Sequence, residues 1–171
     1  MEVPRDVLPA ASVISTSPLS LARSGSDHDN ILIMTLTEAY ARQVFDSAEV
    51  GDWPTFMDSV REDVSWTVVN PGPIKSFPVA GVYDVSFAAY TPINNCFEKP
   101  LSLKVQNLMI AGDTAIVELR AQGVGVKNGA YFDNFYCWIL EFESDVSEPK
   151  VKVARAYLDS AQVKAVMEGN L

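Results

Sequence analysis

Beyond Pro100 this chain of 171 residues reads almost entirely as strand, interrupted by turn signals. Leu101 to Ile110 is followed by Ala111-Gly112-Asp113, and Thr114 to Val124 runs on to Lys127-Asn128-Gly129. Tyr131 to Phe142 comes next, then a mostly polar loop from Glu143 to Pro149, then Val151 to Tyr157. Tight turns between successive strand-like runs predict an antiparallel meander.

Helices precede it. Thr35 followed three residues later by Glu38 predicts a capping box that opens a helix through about Ala48, with Tyr40, Val44 and Ala48 on its apolar face. Gly51 breaks the chain, and Asp52 is placed to cap a short helix carrying Trp53, Phe56, Met57 and Val60, with Pro54 tolerated in its first turn. The β-branched run Val64 to Val69 predicts a strand that ends at Asn70-Pro71-Gly72-Pro73. Residues Val79 to Tyr90 predict a third helix, with Tyr83, Phe87 and Tyr90 sharing one face, and Ser160 to Met167 a closing helix. Helices first and a meander afterwards is an α+β pattern, with helices covering one face of a curved antiparallel sheet around an apolar pocket.

Length fits one domain over residues 31–171. Residues 1–30 hold Pro4, Pro9, Pro18 and six serines without apolar periodicity, which predicts a disordered tail. Glu2, Asp6 and Pro9 argue against a signal peptide, and no window approaches the ~20 apolar residues of a membrane span. The expectation is a cytoplasmic protein without a membrane partner. A net charge of −9 with no Lys/Arg cluster argues against nucleic acid and leaves a small hydrophobic substrate as the expected partner. Cys96 and Cys137 read as reduced structural thiols, and no metal or cofactor motif is present. His28, the only histidine, lies in the tail, so acid–base work in the domain falls to Asp, Glu, Tyr, Lys or Cys.

Phe135, Cys137 and Ile139 alternate with Tyr136, Trp138 and Leu140, so this strand is apolar on both faces. One face meets the helices or the pocket, and the other predicts a sheet-to-sheet homodimer. Alternation groups Arg155, Tyr157 and Asp159 on one face. An Asp159 carboxyl in an apolar pocket would have a raised pKa suited to proton transfer, with Tyr157 donating to an enolate and Arg155 or Arg120 holding an oxygen. Asp159 is equally placed to cap the final helix. Asn70 follows Trp66 and Val68 on one alternating face, which gives it either a pocket role or a turn role before Pro71. Trp66, Tyr83, Phe87, Tyr90 and Trp138 are candidates for an aromatic lining or for core packing. Glu118, Arg120 and Gln122 share a face that suits solvent or a polar pocket wall, and Tyr131, Asp133 and Asn134 fit a hairpin end.

Asp63-Val64-Ser65-Trp66, Pro78-Val79-Ala80-Gly81, Tyr136-Cys137-Trp138 and Arg155-Ala156-Tyr157-Leu158-Asp159, in this order after two helices, resemble the SnoaL-like group of the nuclear transport factor two-like superfamily. The resemblance spans about residues 37 to 168 and implies a cone-shaped sheet around an interior pocket. It further implies a cofactor-free polyketide cyclase or isomerase, with Asp159 matching an acidic residue at the end of the last strand. The similar limonene-epoxide hydrolases imply a polar role for Asn70 and match Arg120. Gln122 stands where they carry an Asp, which speaks against epoxide hydrolysis of that type.

Overall fold

The computed structural model describes residues 35–69, 79–83 and 90–171, the last group with side chains from residue 92. The tail read from residues 1–30 lies outside them. Three short helices come first: α1 (Glu38–Val44), α2 (Asp46–Glu49) and α3 (Trp53–Asp58). The N-cap of α1 is Thr37 and not Thr35, because the Tyr40 N–H donates to Thr37 Oγ1 at 3.1 Å. Asp52 caps α3 as expected, accepting from the Thr55 N–H at 3.3 Å.

Strands β1 (Val60–Val68) and β2 (Gly81–Tyr83) follow, then helix α4 (Tyr90–Asn94) and the meander β3 (Leu103–Ala111), β4 (Thr114–Val124), β5 (Tyr131–Phe142) and β6 (Val151–Leu158). Helix α5 (Ser160–Asn170) closes the order. The helix expected from Val79 to Tyr90 is corrected. Its first part is strand, in which Tyr83 pairs with Trp66 and Gly81 with Val68. A cross-strand partner overrides the helical spacing of the aromatics there.

The six strands lie in the order β2-β1-β6-β5-β4-β3. Every neighbouring pair is antiparallel except β1 with β6, which is parallel. Register shifts fall between Val60 and Ser65, between Val105 and Asn107, and between Glu141 and Phe142. Such bulges bend and twist the strands that carry them. Glycine at 112 and at 129, with φ of +62° and +65°, makes the two tight connections of the meander, where a side chain would be strained.

One face of the sheet looks toward the helices. Val64, Trp66 and Val68 of β1, Val117, Leu119 and Ala121 of β4, and the even-numbered residues of β5 are buried on it. Phe45 and Phe56 are fully buried against this face, 5.6 Å apart and each 6.1 Å from the Trp138 ring. Burying one such side chain contributes about 1.5–3 kcal/mol, so this contact fixes the helices on the sheet. The Trp53 indole N–H donates to the Leu101 carbonyl at 3.0 Å, which ties α3 to the chain entering β3. At the other end Asn170, almost fully buried, accepts from the Lys127 N–H at 2.9 Å and donates to the Val166 carbonyl at 2.8 Å. That pins α5 to the β4–β5 connection.

Candidate functional site

Strand β5 builds the inner wall. Asn134, Tyr136, Trp138 and Leu140 all face inward, opposite Ala121, Leu119, Val117 and Ala115 of β4. On the other flank Trp138 sits beside Ala156 and Leu140 beside Ala154 of β6, while Ala154 pairs with Trp66 of β1. Alanines therefore alternate with large aromatics. Trp66 and Trp138 meet edge to face, with centroids 5.1 Å apart at 87°. Tyr83, opposite Trp66, donates its hydroxyl to the Val79 carbonyl at 2.8 Å.

The polar atoms of this wall differ in how they are satisfied. Asn134 is fully buried, donating from Nδ2 to the Asp159 carbonyl (3.1 Å) and accepting at Oδ1 from the Asp159 N–H (3.2 Å). It clamps the β6–α5 junction to β5. Trp138, 5% exposed, has a buried indole N–H with no hydrogen-bond partner. Tyr136, 8% exposed, makes no hydrogen bond through its hydroxyl among the described residues, and burial pushes its phenol well above the ordinary value. Among the described residues no carboxylate or cationic side chain stands on the inward face of a strand.

The aromatic candidates Trp66, Tyr83 and Trp138 are brought together on this inward face. Asn70 and Phe87 lie outside the described residues, and Tyr90 is described only as the first residue of α4. The polar candidates Asp159, Arg155, Tyr157 and Arg120 are not brought to this inward face. Asp159 is exposed and caps α5, accepting at Oδ1 from the Ala161 N–H (3.0 Å) and the Gln162 N–H (3.3 Å). Hydrogen bonds from Gln162, backbone and side chain, hold its carboxyl below the ordinary value, the opposite of the shift expected in an apolar pocket.

Arg155 and Tyr157 share a face as their alternation requires, but that face looks outward. Arg155 is paired with Glu141, and Tyr157 stands half-exposed beside Cys137. Arg120 is outward too. Its guanidinium forks onto Asp133 (Nε–Oδ1 2.7 Å, NH2–Oδ2 2.5 Å) and lies 5.2 Å from the Phe135 ring centroid. The Asp133 carboxyl is held below its ordinary range by that guanidinium.

Sequence reasoning missed Tyr136 and Asn134 as inward-facing polar groups. The signal was their shared parity with Trp138, obscured because β5 is apolar on both faces. A separate surface hollow of about 450 Å³ opens near Tyr40, Asp46, Thr55 and Glu148, away from this wall. Among the described residues no helix is long and apolar enough to cross a membrane.

No protein-family model matches the sequence, and neither does any curated protein. Solved structures do match. An NTF2-like protein from Burkholderia thailandensis superposes with a TM-score of 0.59 at 19% identity, covering 75% of this chain and 95% of that one. IdmH from Streptomyces antibioticus, a candidate polyketide cyclase, gives 0.57 at 13% identity, covering 76% and 96%. A Catenulispora acidiphila protein with a ketosteroid isomerase-like fold, in complex with trimethylamine, gives 0.57 at 10% identity, covering 78% and 95%. With its six-stranded sheet and helices packed on one face, the chain has the cone-shaped NTF2-like fold.

Proposed function

We propose that the protein is a cofactor-free isomerase, cyclase or dehydratase of SnoaL-like type, acting in the cytoplasm on a hydrophobic polyketide or terpenoid intermediate held inside the cone. The observation that carries this reading is the inward wall, where Trp66 and Trp138 stand edge to face among alanines with Tyr83 alongside. Ligand sites are mostly apolar with a few placed polar groups, and this wall has that make-up. The shared fold with a candidate polyketide cyclase supports the reaction class by analogy. The test is conversion of pathway-type polyketides and terpenoids without added cofactor, followed by mass spectrometry, alongside quenching of tryptophan emission by the same compounds. Absence of both quenching and conversion would overturn the reading.

A second reading, a non-catalytic binding module, is favoured by one observation. Asp159, the acid that matches the family position, serves at the surface as a helix cap. Quenching without conversion across the panel would select that reading.

The proposed partner is a second copy of the chain, docked through the outward face of β3–β6. Phe135 and Tyr157 are exposed there, with Ile116, Cys137 and Ile139 half-buried between them. The register-paired charges of this face are Lys104, Arg120 and Arg155 against Glu118, Asp133 and Glu141, so it is neutral in a chain of net charge −9. Two such chains repel elsewhere and meet without like-charge conflict here.

A further inference from the structure

We infer that Asn128-Gly129 is a site of spontaneous covalent modification, at which Asn128 converts to aspartate and isoaspartate and so releases helix α5 from the β4–β5 connection. The reaction joins the backbone nitrogen of the next residue to the side-chain amide carbon of the asparagine. That new C–N bond closes a succinimide ring, and the bond from the same carbon to Nδ2 breaks to release ammonia. Water then opens the ring at either carbonyl, giving aspartate or the isoaspartyl linkage. A side chain on the next residue obstructs the approach, and glycine has none. Asn-Gly occurs once in the chain, and every other asparagine is followed by a residue with a side chain.

The turn supplies what ring closure requires. Residues 126–130 are exposed, so water reaches the reacting atoms. Among the described residues, nothing beyond its chain neighbours lies within 4 Å of where a Cβ on Gly129 would be. Asn128 Oδ1 accepts from the Ala130 N–H at 2.9 Å, which places a donor on the oxygen where negative charge develops. One bond opposes the attack, from the Gly129 N–H to the Gly125 carbonyl at 2.9 Å. Breaking a single backbone hydrogen bond slows the reaction by about tenfold at most.

The product disturbs α5 because the Asn128 side chain faces it. Its Nδ2 lies so close to Gly169 that a Cβ there would meet it at 2.5 Å. The backbone N–H groups of Lys127 and Asn128 both donate to Asn170 Oδ1, at 2.9 and 3.4 Å. Aspartate sets a carboxylate against the C-terminal end of α5, where the helix dipole repels an anion. Isoaspartate also lengthens the main chain by one atom and shifts the turn off Asn170. Val163, Val166 and Met167 are the α5 side chains that this clamp keeps buried.

The test incubates the full chain at mildly alkaline pH beside the free peptide Gly-Val-Lys-Asn-Gly-Ala-Tyr, and maps conversion by proteolysis and mass spectrometry. The expected result is conversion at Asn128 within about tenfold of the peptide's rate. Hydrogen exchange in α5 should become about three- to tenfold faster in the converted protein, and freshly made Asn128→Asp should show a smaller rise of the same sign. Asn128→Gln should keep slow exchange through the same incubation. Intact Asn128 after the peptide has fully converted would overturn the site. Conversion without faster exchange in α5 would overturn the release, as would an equal rise in incubated Asn128→Gln.

Discussion

Asp159 sits at a junction where one side chain serves two elements. Its carboxylate collects the first free N–H groups of α5, while its backbone is gripped from behind by Asn134. Asp159→Ala should cost about 1 kcal/mol in urea unfolding at neutral pH, and Asp159→Asn should cost much less, since Asn caps nearly as well. The pH dependence has a definite sign. The folded carboxyl titrates below its ordinary value, so its contribution is in place above about pH 3.9 and is lost as pH falls through the folded value. The stability gap between wild type and Asp159→Asn should therefore narrow on acidification from pH 5 to pH 2. Loss of turnover in a well-folded Asp159→Asn would show that capping is not its whole role.

Among elements, α5 and the β4–β5 connection are held together by a contact too close for any side chain at Gly125. A Cβ there would meet both amide atoms of Asn170 at 2.7 Å, and Asn170 cannot retreat without releasing the Lys127 N–H. Gly125→Ala should destabilise by about 1–3 kcal/mol in thermal or urea unfolding and raise hydrogen exchange first in α5. Elements such as β4 and β5 were legible from sequence because Gly112-Asp113 and Asn128-Gly129 fix where each strand can turn. Strand β2 was not, since Tyr83 is strand only by virtue of Trp66, a partner seventeen positions earlier. The candidate site was legible in part for a related reason. Alternation correctly groups Arg155 with Tyr157, and Tyr136 with Trp138, but it cannot say which group looks inward. That is settled by Phe45 and Phe56 of the helical layer packing on Trp138, and the register then puts Ala156 inward with Trp138 and Tyr157 outward with Cys137.

On the scale of the whole molecule, the sheet has an inner face packed by helices and an outer face that no described element covers. If a second copy covers it, the assembly depends on aromatics at its centre. Phe135→Asp places a charge beside Asp133 and in the middle of that face, and should convert a dimer to a monomer in sedimentation velocity. A wild-type protein that sediments as a monomer at tens of micromolar would refute the dimer directly. Among the described strands β1 borders only β2 and β6, and Val60 pairs with Val151, ninety-one residues later. During synthesis the first strand therefore waits, largely unpaired, until the last strand has left the ribosome. Closing so long a loop is slow, and a nascent chain interrupted before Val151 exposes an open strand edge to chaperones and proteases.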